Sequence, residues 1–213
     1  MIARLRATSV AGVGLACLLG LLGPSAAGAN GETAPPPPEI DPQIRERVDS
    51  LIDSYDPMHP GIAHSLLPDM IVSEGREAIP YLAWRLVQEQ TADEQDPVLG
   101  AKSPVLLLID VLGRHGDPRG LPALRRELED RDVVRREAAV QGIARIPGLE
   151  PYRVLLERLA DEDGAVAARA QEALVAIAGS DPLDFDPLAE ALDAAKRDPA
   201  VRAGVAQVLA RRG

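Results

Sequence analysis

Three stretches of the chain share one pattern, and they read DVVRREAAVQGI at residues 132–143, DGAVAARAQEAL at 163–174 and DPAVRAGVAQVL at 198–209. Each begins with an aspartate and continues with small or aliphatic residues three and four positions apart, which is the apolar stripe of an amphipathic helix. The starting points are 31 and then 35 residues apart. A period of this length is typical of solenoids, in which each repeat is one supersecondary unit stacked on the next.

A second apolar pattern precedes each of these helices, so every repeat contains two helices. Its columns are Leu124/Leu155/Leu188 and Leu128/Leu159/Leu192, and the columns of the later helix include Ala139/Ala170/Val205 and Ile143/Leu174/Leu209. A step of 31 residues back from Ala139 leads to Leu108, which indicates an earlier copy. We therefore predict an all-α chain, an α-solenoid of about five antiparallel helix pairs.

The residues that start and stop helices agree with this frame. An aspartate or serine followed by proline offers a side-chain cap and then a residue suited to the first helical position. These dipeptides are Ser103-Pro104, Asp117-Pro118, Asp186-Pro187 and Asp198-Pro199. Gly148 and Gly179 are expected to close second helices in the left-handed conformation, and His115 suits the dipole at a helix end. The segment from Val87 to Ser103 is rich in Gln, Glu and Asp, and we expect a solvated loop there.

The N-terminal region divides into three segments before the regular repeats. Residues 1–29 have the basic start, the apolar stretch and the final small residues of a secretory signal peptide. Lipid attachment at Cys17 is the competing interpretation, but the apolar stretch continues past that residue. Residues 30–41 form a Pro-rich linker, residues 42–76 a divergent N-terminal helical cap, and residues 77–213 the repeats. We expect an exported protein, periplasmic or extracellular, with no stable membrane insertion after signal cleavage.

The chain is strongly acidic. It has 23 basic and 33 acidic residues, and residues 1–29 contain two basic and no acidic ones, so the mature chain has a net charge of −12. Surfaces that bind nucleic acid or anionic membranes are usually basic. We therefore expect no nucleic acid among its partners.

The turn between the two helices of a pair carries the residues by which the chain resembles a known family. The stretch Asp198-Pro199-Ala200-Val201-Arg202 has the pattern Asp-x-x-Val-Arg of HEAT repeats, although Ala167 replaces the arginine in one copy and Arg135 the valine in another. The resemblance covers about 77–212, and it is specifically to the short HEAT-like repeats also found in phycobilin lyases. It implies a solenoid whose second helices line the concave side. It also implies a structural contact of Arg136 and Arg202 with a neighbouring turn.

Residues for catalysis or metal binding form no recognisable motif in this sequence. HEAT-like metal hydroxylases have His-Glu dipeptides at the start of second helices, and no His-Glu dipeptide occurs here. His59 and His64 lie near aspartates and could hold a metal, but a polar N-terminal cap is the simpler interpretation. Asp181, Asp184 and Asp186 lack the glycine and glutamate of a calcium loop and suit helix caps better. We predict no catalytic residue, no metal and no cofactor, and hence a protein that is not an enzyme.

One polar pattern of the second helices suits partner binding. When the second helices are aligned, polar residues occupy one position between two core positions and, in most copies, the position four residues later. These are the predicted partner-binding residues, which are Asp110, Arg114, Gln141, Arg145, Glu172, Gln207 and Arg211. The alternative is that i,i+4 pairs such as Asp110–Arg114 only support their own helices, at about 0.3–0.5 kcal/mol each. The second helices (104–115, 132–146, 164–178 and 199–212) have a net charge of +4. This charge favours a ligand with acidic groups.

These observations predict an exported scaffold that binds another protein or a peptide through the concave face of its second helices. Two alternatives stay open. One is a chromophore-lyase-like HEAT protein or a lyase subunit, against which the expected export and the absence of a cysteine after residue 29 both argue. The other is a purely structural envelope protein, with the Pro-rich segment as a tether.

Overall fold

The computed structural model describes residues 35–57, 62–95, 103–179 and 184–212, and every regular element in these ranges is a helix. The α-helices are α1 Pro42–Asp53, α2 Ile62–Ser73, α3 Ile79–Gln95, α4 Val105–His115, α5 Leu121–Glu127, α6 Val133–Ala144, α7 Leu149–Glu157, α8 Gly164–Ala178, α9 Pro187–Arg197 and α10 Pro199–Arg212. Short 3₁₀ turns at Arg76–Ala78, Pro118–Gly120 and Arg158–Ala160 adjoin α3, α5 and α7. Residues 36–213 form one compact unit.

Consecutive helices pack as five pairs, from α1 with α2 to α9 with α10. The second helices of the pairs (α2, α4, α6, α8 and α10) also stack on one another in chain order, and we call them the second-helix row. The first helices (α1, α3, α5, α7 and α9) form the first-helix row, in which α3 packs on α5 and α7 on α9. The predicted α-solenoid of about five helix pairs is confirmed.

The aspartates that open the repeated stretches cap the second helices. The carboxylates of Asp132, Asp163 and Asp198 accept hydrogen bonds of 2.8–2.9 Å from the backbone N–H groups two residues later. A free N–H group at a helix start is costly to leave without an acceptor, so each aspartate determines where its helix begins. Asp117 and Asp186 cap their helices in the same way, as predicted.

The cap expected at Ser103 is wrong. Helix α4 begins at Val105 with Pro104 in the cap position, and the Ser103 hydroxyl is buried without a hydrogen-bond partner among the described residues. The left-handed conformation expected at Gly179 is also wrong, because its φ of −87° is right-handed. Gly148 has a φ of +120°, but it precedes α7 and does not directly end α6. The left-handed residue that ends a second helix is Gly116, with a φ of 59°.

The core lies between the two rows and between neighbouring pairs. Leu174, Ile143 and Ala139 are fully buried, as their repeat columns predict. Helices α4 and α6 approach each other closely at two glycines, because a Cβ atom on Gly113 would lie only 2.6 Å from the Cα of Gly142. Side chains are therefore excluded at this crossing, and α4 and α6 touch through their backbones.

Two expectations for the first helices are corrected. Leu188 and Leu192, placed in buried columns, are 42% and 46% exposed, and α9 instead buries Pro187, Ala191 and Ala195. The expected loop from Val87 to Ser103 is helical up to Gln95, since α3 continues through this polar segment. An ion pair of 2.8 Å between Arg85 and Glu89, one turn apart, supports that continuation.

Several predictions fall outside the described residues. These are the signal peptide with Cys17, residues 30–34 of the linker, His59, the side chain of His64, and Asp181. In the described part of the chain, no helix is both long and apolar enough to cross a membrane.

Candidate partner-binding face

The seven predicted partner-binding residues lie on the second-helix row. Six of them are exposed to solvent, and Asp110 is half-buried. Asp110 and Arg114 belong to α4, Gln141 to α6 and Glu172 to α8, and Arg145 directly follows α6. Gln207 and Arg211 belong to the last helix, α10.

Asp110 connects two arginines from neighbouring pairs. Its Oδ2 accepts a hydrogen bond of 2.8 Å from Nε of Arg114 on the same helix. Its Oδ1 accepts another of 2.8 Å from Nη1 of Arg145, which belongs to the next pair. The hydrogen bond to Asp110 is also the main reason that the pKa of Arg114 is raised above its ordinary value. Asp110 therefore joins two repeats, beyond supporting its own helix.

Asp69 extends this network to the first pair. Its Oδ1 accepts a hydrogen bond of 2.6 Å from Nη1 of Arg114. The connected side chains Asp69, Arg114, Asp110 and Arg145 thus span three consecutive second helices, and we call them the ionic chain. With two carboxylates and two guanidinium groups, the ionic chain has no net charge.

The C-terminal half of the face is organised differently. Glu172 is engaged by Arg169 on its own helix at 3.0 Å. Gln207 and Arg211 are exposed, and among the ion pairs of the described residues none includes Arg211. Positive charge that is not already neutralised by a neighbour is therefore found at the α10 end of the face.

Sequence reasoning did not identify Asp69 or the apolar side chains beside it. Asp69 lies 45 residues before Arg114, across the divergent first pair, where the repeat period is not visible. Leu66 and Met70 on α2 and Leu106 on α4 are large exposed hydrophobic residues at the same end of the row. By contrast, Asp110 and Arg145 are 35 residues apart in the sequence, which is one 31-residue repeat step plus one helical turn of four residues. The repeat frame could have predicted it.

Arg136 has a structural place at the turn between pairs. It is buried, it donates to the backbone carbonyls of Asp130 and Arg131, and its Nη2 lies 3.2 Å from Asp161. A polar cavity of about 340 Å³ adjoins it, with Arg158 on its wall. Because backbone and carboxylate oxygens already engage both arginines, we assign this region to holding neighbouring pairs together.

His115 and Asp117 have shifted pKa values at the end of α4. Burial lowers the pKa of His115, the charge of Asp117 raises it, and the charges of Arg76 and Arg119 lower it further. Burial therefore acts against the protonated ring that the dipole at a helix end would favour. Hydrogen bonds from Arg119 hold the pKa of Asp117 at about 2.

The first-helix row also has ion pairs between neighbouring pairs of helices. Arg153 on α7 contacts Glu190 on α9 at 2.8 Å, and Arg125 on α5 lies 3.6 Å from Glu157 on α7. Within the described ranges, no three His, Cys, Asp or Glu side chains are grouped so that they could hold a metal ion.

The helix pairs, the stacked second helices and the polar face along them define a helix-pair solenoid with an exposed polar face on one row. Solenoids of this class use extended surfaces to bind other molecules. Residues 106–175, which run from α4 into α8, match the family model for HEAT repeats, so this part of the chain consists of HEAT repeats. Neither a curated protein nor a solved structure matches the chain.

Proposed function

We propose that this protein is a non-catalytic scaffold that binds a protein or peptide along its second-helix row. HEAT repeats commonly mediate protein–protein interaction, which supports the class of partner. The observation that carries the proposal is the ionic chain, which places polar side chains from three consecutive repeats on one exposed face.

The ionic chain can exchange its internal contacts for contacts with a partner. Exposed ion pairs contribute only about 0–1 kcal/mol to stability, because water solvates both charges well. A partner carboxylate could therefore take a guanidinium group from Asp110 at low cost and bind it through two parallel hydrogen bonds. Arg211, which lies outside the ionic chain, offers a third such donor, so an acidic segment lying along the row is the ligand that fits best.

We also propose that the protein is exported. The support is the order of basic, apolar and small residues over residues 1–29, which is that of a cleavable signal. The partner would then be a protein of the periplasm or the extracellular space. Mass spectrometry of the exported protein checks this, since an intact N-terminus or a lipid on Cys17 would contradict cleavage after Ala29.

The test of the binding face is a triple variant, Arg114→Ala, Arg145→Ala and Arg211→Ala. We expect weaker capture of partner proteins from an envelope extract, with helicity and melting temperature almost unchanged. The matched control replaces three exposed arginines of the first-helix row, Arg125, Arg153 and Arg197, each of which also forms an ion pair.

The two triple variants remove the same charge and comparable ion pairs, so they differ mainly in which row they change. Loss of capture only in the second-helix variant supports the proposal. Equal capture by both variants and the unchanged protein would show that the arginines only support the fold. Equal loss in both would indicate that net charge, and not the face, determines binding.

A further inference from the structure

The last pair exposes side chains that are buried in the pairs before it. Leu188 and Leu192, one turn apart on α9, are 42% and 46% exposed. The buried residues Pro187, Ala191 and Ala195 of α9 match the buried Pro151, Leu155 and Leu159 of the preceding first helix at a step of 36 residues. Leu188 and Leu192 are then equivalent to Tyr152 and Leu156, which are both buried, and the Tyr152 hydroxyl donates a hydrogen bond of 3.1 Å to the carbonyl of Pro187 in the following pair. Leu188 and Leu192 therefore occupy the positions that pack against a following pair, and no further pair covers them in the described residues.

The first pair shows the same feature at the opposite end. The buried residues Leu67 and Ile71 of α2 correspond to Leu108 and Leu112 of α4, with a step of 41 residues. Leu66 and Met70 come one residue before Leu67 and Ile71, so in this alignment they are equivalent to Leu107 and Val111. In α4 this pair is buried, whereas Leu66 and Met70 are 51% and 47% exposed.

Two glycines at the equivalent positions of later second helices face the preceding pair. In the same alignment, Gly142 of α6 is equivalent to Met70, and Gly204 of α10 is equivalent to Leu66. Gly142 meets the backbone of α4, and Gly204 meets Leu159, both in the preceding pair. Leu66 and Met70 therefore project where a preceding pair would stack.

The two ends are complementary in geometry and in charge. If the last pair of one chain stacked on the first pair of another, the exposed Leu188 and Leu192 of one end would face the exposed Leu66 and Met70 of the other. Residues 42–74 contain six acidic and two basic residues, whereas residues 187–212 contain three acidic and five basic residues. Opposite charge at the two ends favours their contact and disfavours contact between like ends.

We propose that copies of this chain associate end to end, with α9 and α10 of one copy stacking on α1 and α2 of the next. Each junction buries Leu188 and Leu192 against Leu66 and Met70 and continues both rows from one copy to the next. An unlike contact of this kind leaves one free end of each type, so association can continue beyond two copies.

The test uses the full chain as it is recovered from the producing cells, studied by sedimentation velocity over a range of protein concentrations. One variant changes the last pair, Leu188→Glu with Leu192→Glu, and another changes the first pair, Leu66→Glu with Met70→Glu. The control is Val134→Glu, since Val134 is 56% exposed at the start of α6, away from both ends. All these side chains are exposed, so we expect each variant to keep its helices, which circular dichroism would check.

We expect the unchanged chain and the control to grow in mass with concentration, and each end variant to keep the mass of one chain. An equimolar mixture of the two end variants has one intact end of each type. We therefore expect that mixture to form species of two chains and no larger ones.

Three results would overturn the proposal. The first is an unchanged chain that keeps the mass of one copy at every concentration, as expected if its own N-terminal segment or another protein covers the ends. The second is a first-pair variant that still forms dimers, which would indicate a symmetric contact through the last pair. The third is loss of association in the Val134→Glu control.

Discussion

At the junction between the second and third pairs, Gly113 and Gly142 bring two helix backbones into contact, whereas at the outer face of the fifth pair Leu188 and Leu192 are left in solvent. Both regions follow the same repeat pattern. The difference between them is the presence of a neighbour, because each pair of a solenoid completes its core only against the pairs beside it. The three changes below test this difference, from the largest expected effect to the smallest.

The largest effect is expected where the backbones touch. Replacing Gly113 with leucine places a Cβ atom 2.6 Å from the Cα of Gly142, and neither backbone can move aside without separating α4 from α6. We expect a loss of more than about 4 kcal/mol of unfolding free energy, in the exceptional range for one substitution. Urea unfolding followed by circular dichroism measures this loss.

The control for this change is Gly164→Ala at the first residue of α8, where an added Cβ atom would meet nothing within 4 Å. We expect the control to be unchanged or more stable by up to about 1 kcal/mol, because alanine is the better helix former. If Gly113→Leu were equally harmless, the second and third pairs would not be in backbone contact.

The second change compares a buried and an exposed leucine of the first helices. Leu155→Ala removes a fully buried side chain, and we expect it to cost about 3 kcal/mol, within the usual range for a leucine-to-alanine change in a core. Leu188→Ala removes an exposed side chain on the outer face of the last pair, and we expect less than about 0.5 kcal/mol at low protein concentration. Equal costs for the two, measured by thermal unfolding, would mean that Leu188 is buried in the protein in solution.

The smallest effect is expected at the helix caps. Asp163→Ala leaves the N–H group of Ala165 without its acceptor, and we expect a cost of about 1 kcal/mol. Ser103→Ala removes a hydroxyl that has no hydrogen bond in the described residues, and we expect no loss. A destabilised Ser103→Ala chain would show that the hydroxyl does cap α4.

Local interactions are the part of the fold that sequence predicts best. The caps at Asp132, Asp163 and Asp198 depend only on residues two positions away, so the pattern within each stretch was sufficient. The buried columns through Ala139 and Ile143 were also predictable, since each has a neighbouring pair on both sides.

Predictions failed where burial or conformation depends on distant residues. Leu188 and Leu192 were assigned to the buried column, but α9 buries Pro187, Ala191 and Ala195 instead, and burial of the face with the two leucines would need a following pair. Gly179 has the repeat position of Gly148, yet its backbone is right-handed. For the candidate site, the repeat frame predicted which residues share the exposed face. It did not predict that Asp69 from the divergent first pair is bonded to Arg114.

The ionic chain also bears on how the array assembles during folding. Its links between pairs join residues 45 and 35 positions apart. Loops of this length close at a modest entropic cost, so the chain has no need to bring its two termini together before native structure appears. We expect a nucleus at the glycine crossing of α4 and α6 that grows one pair at a time in both directions. In that case, the protection of backbone amides from hydrogen exchange should decrease from the central helices toward α1 and α10.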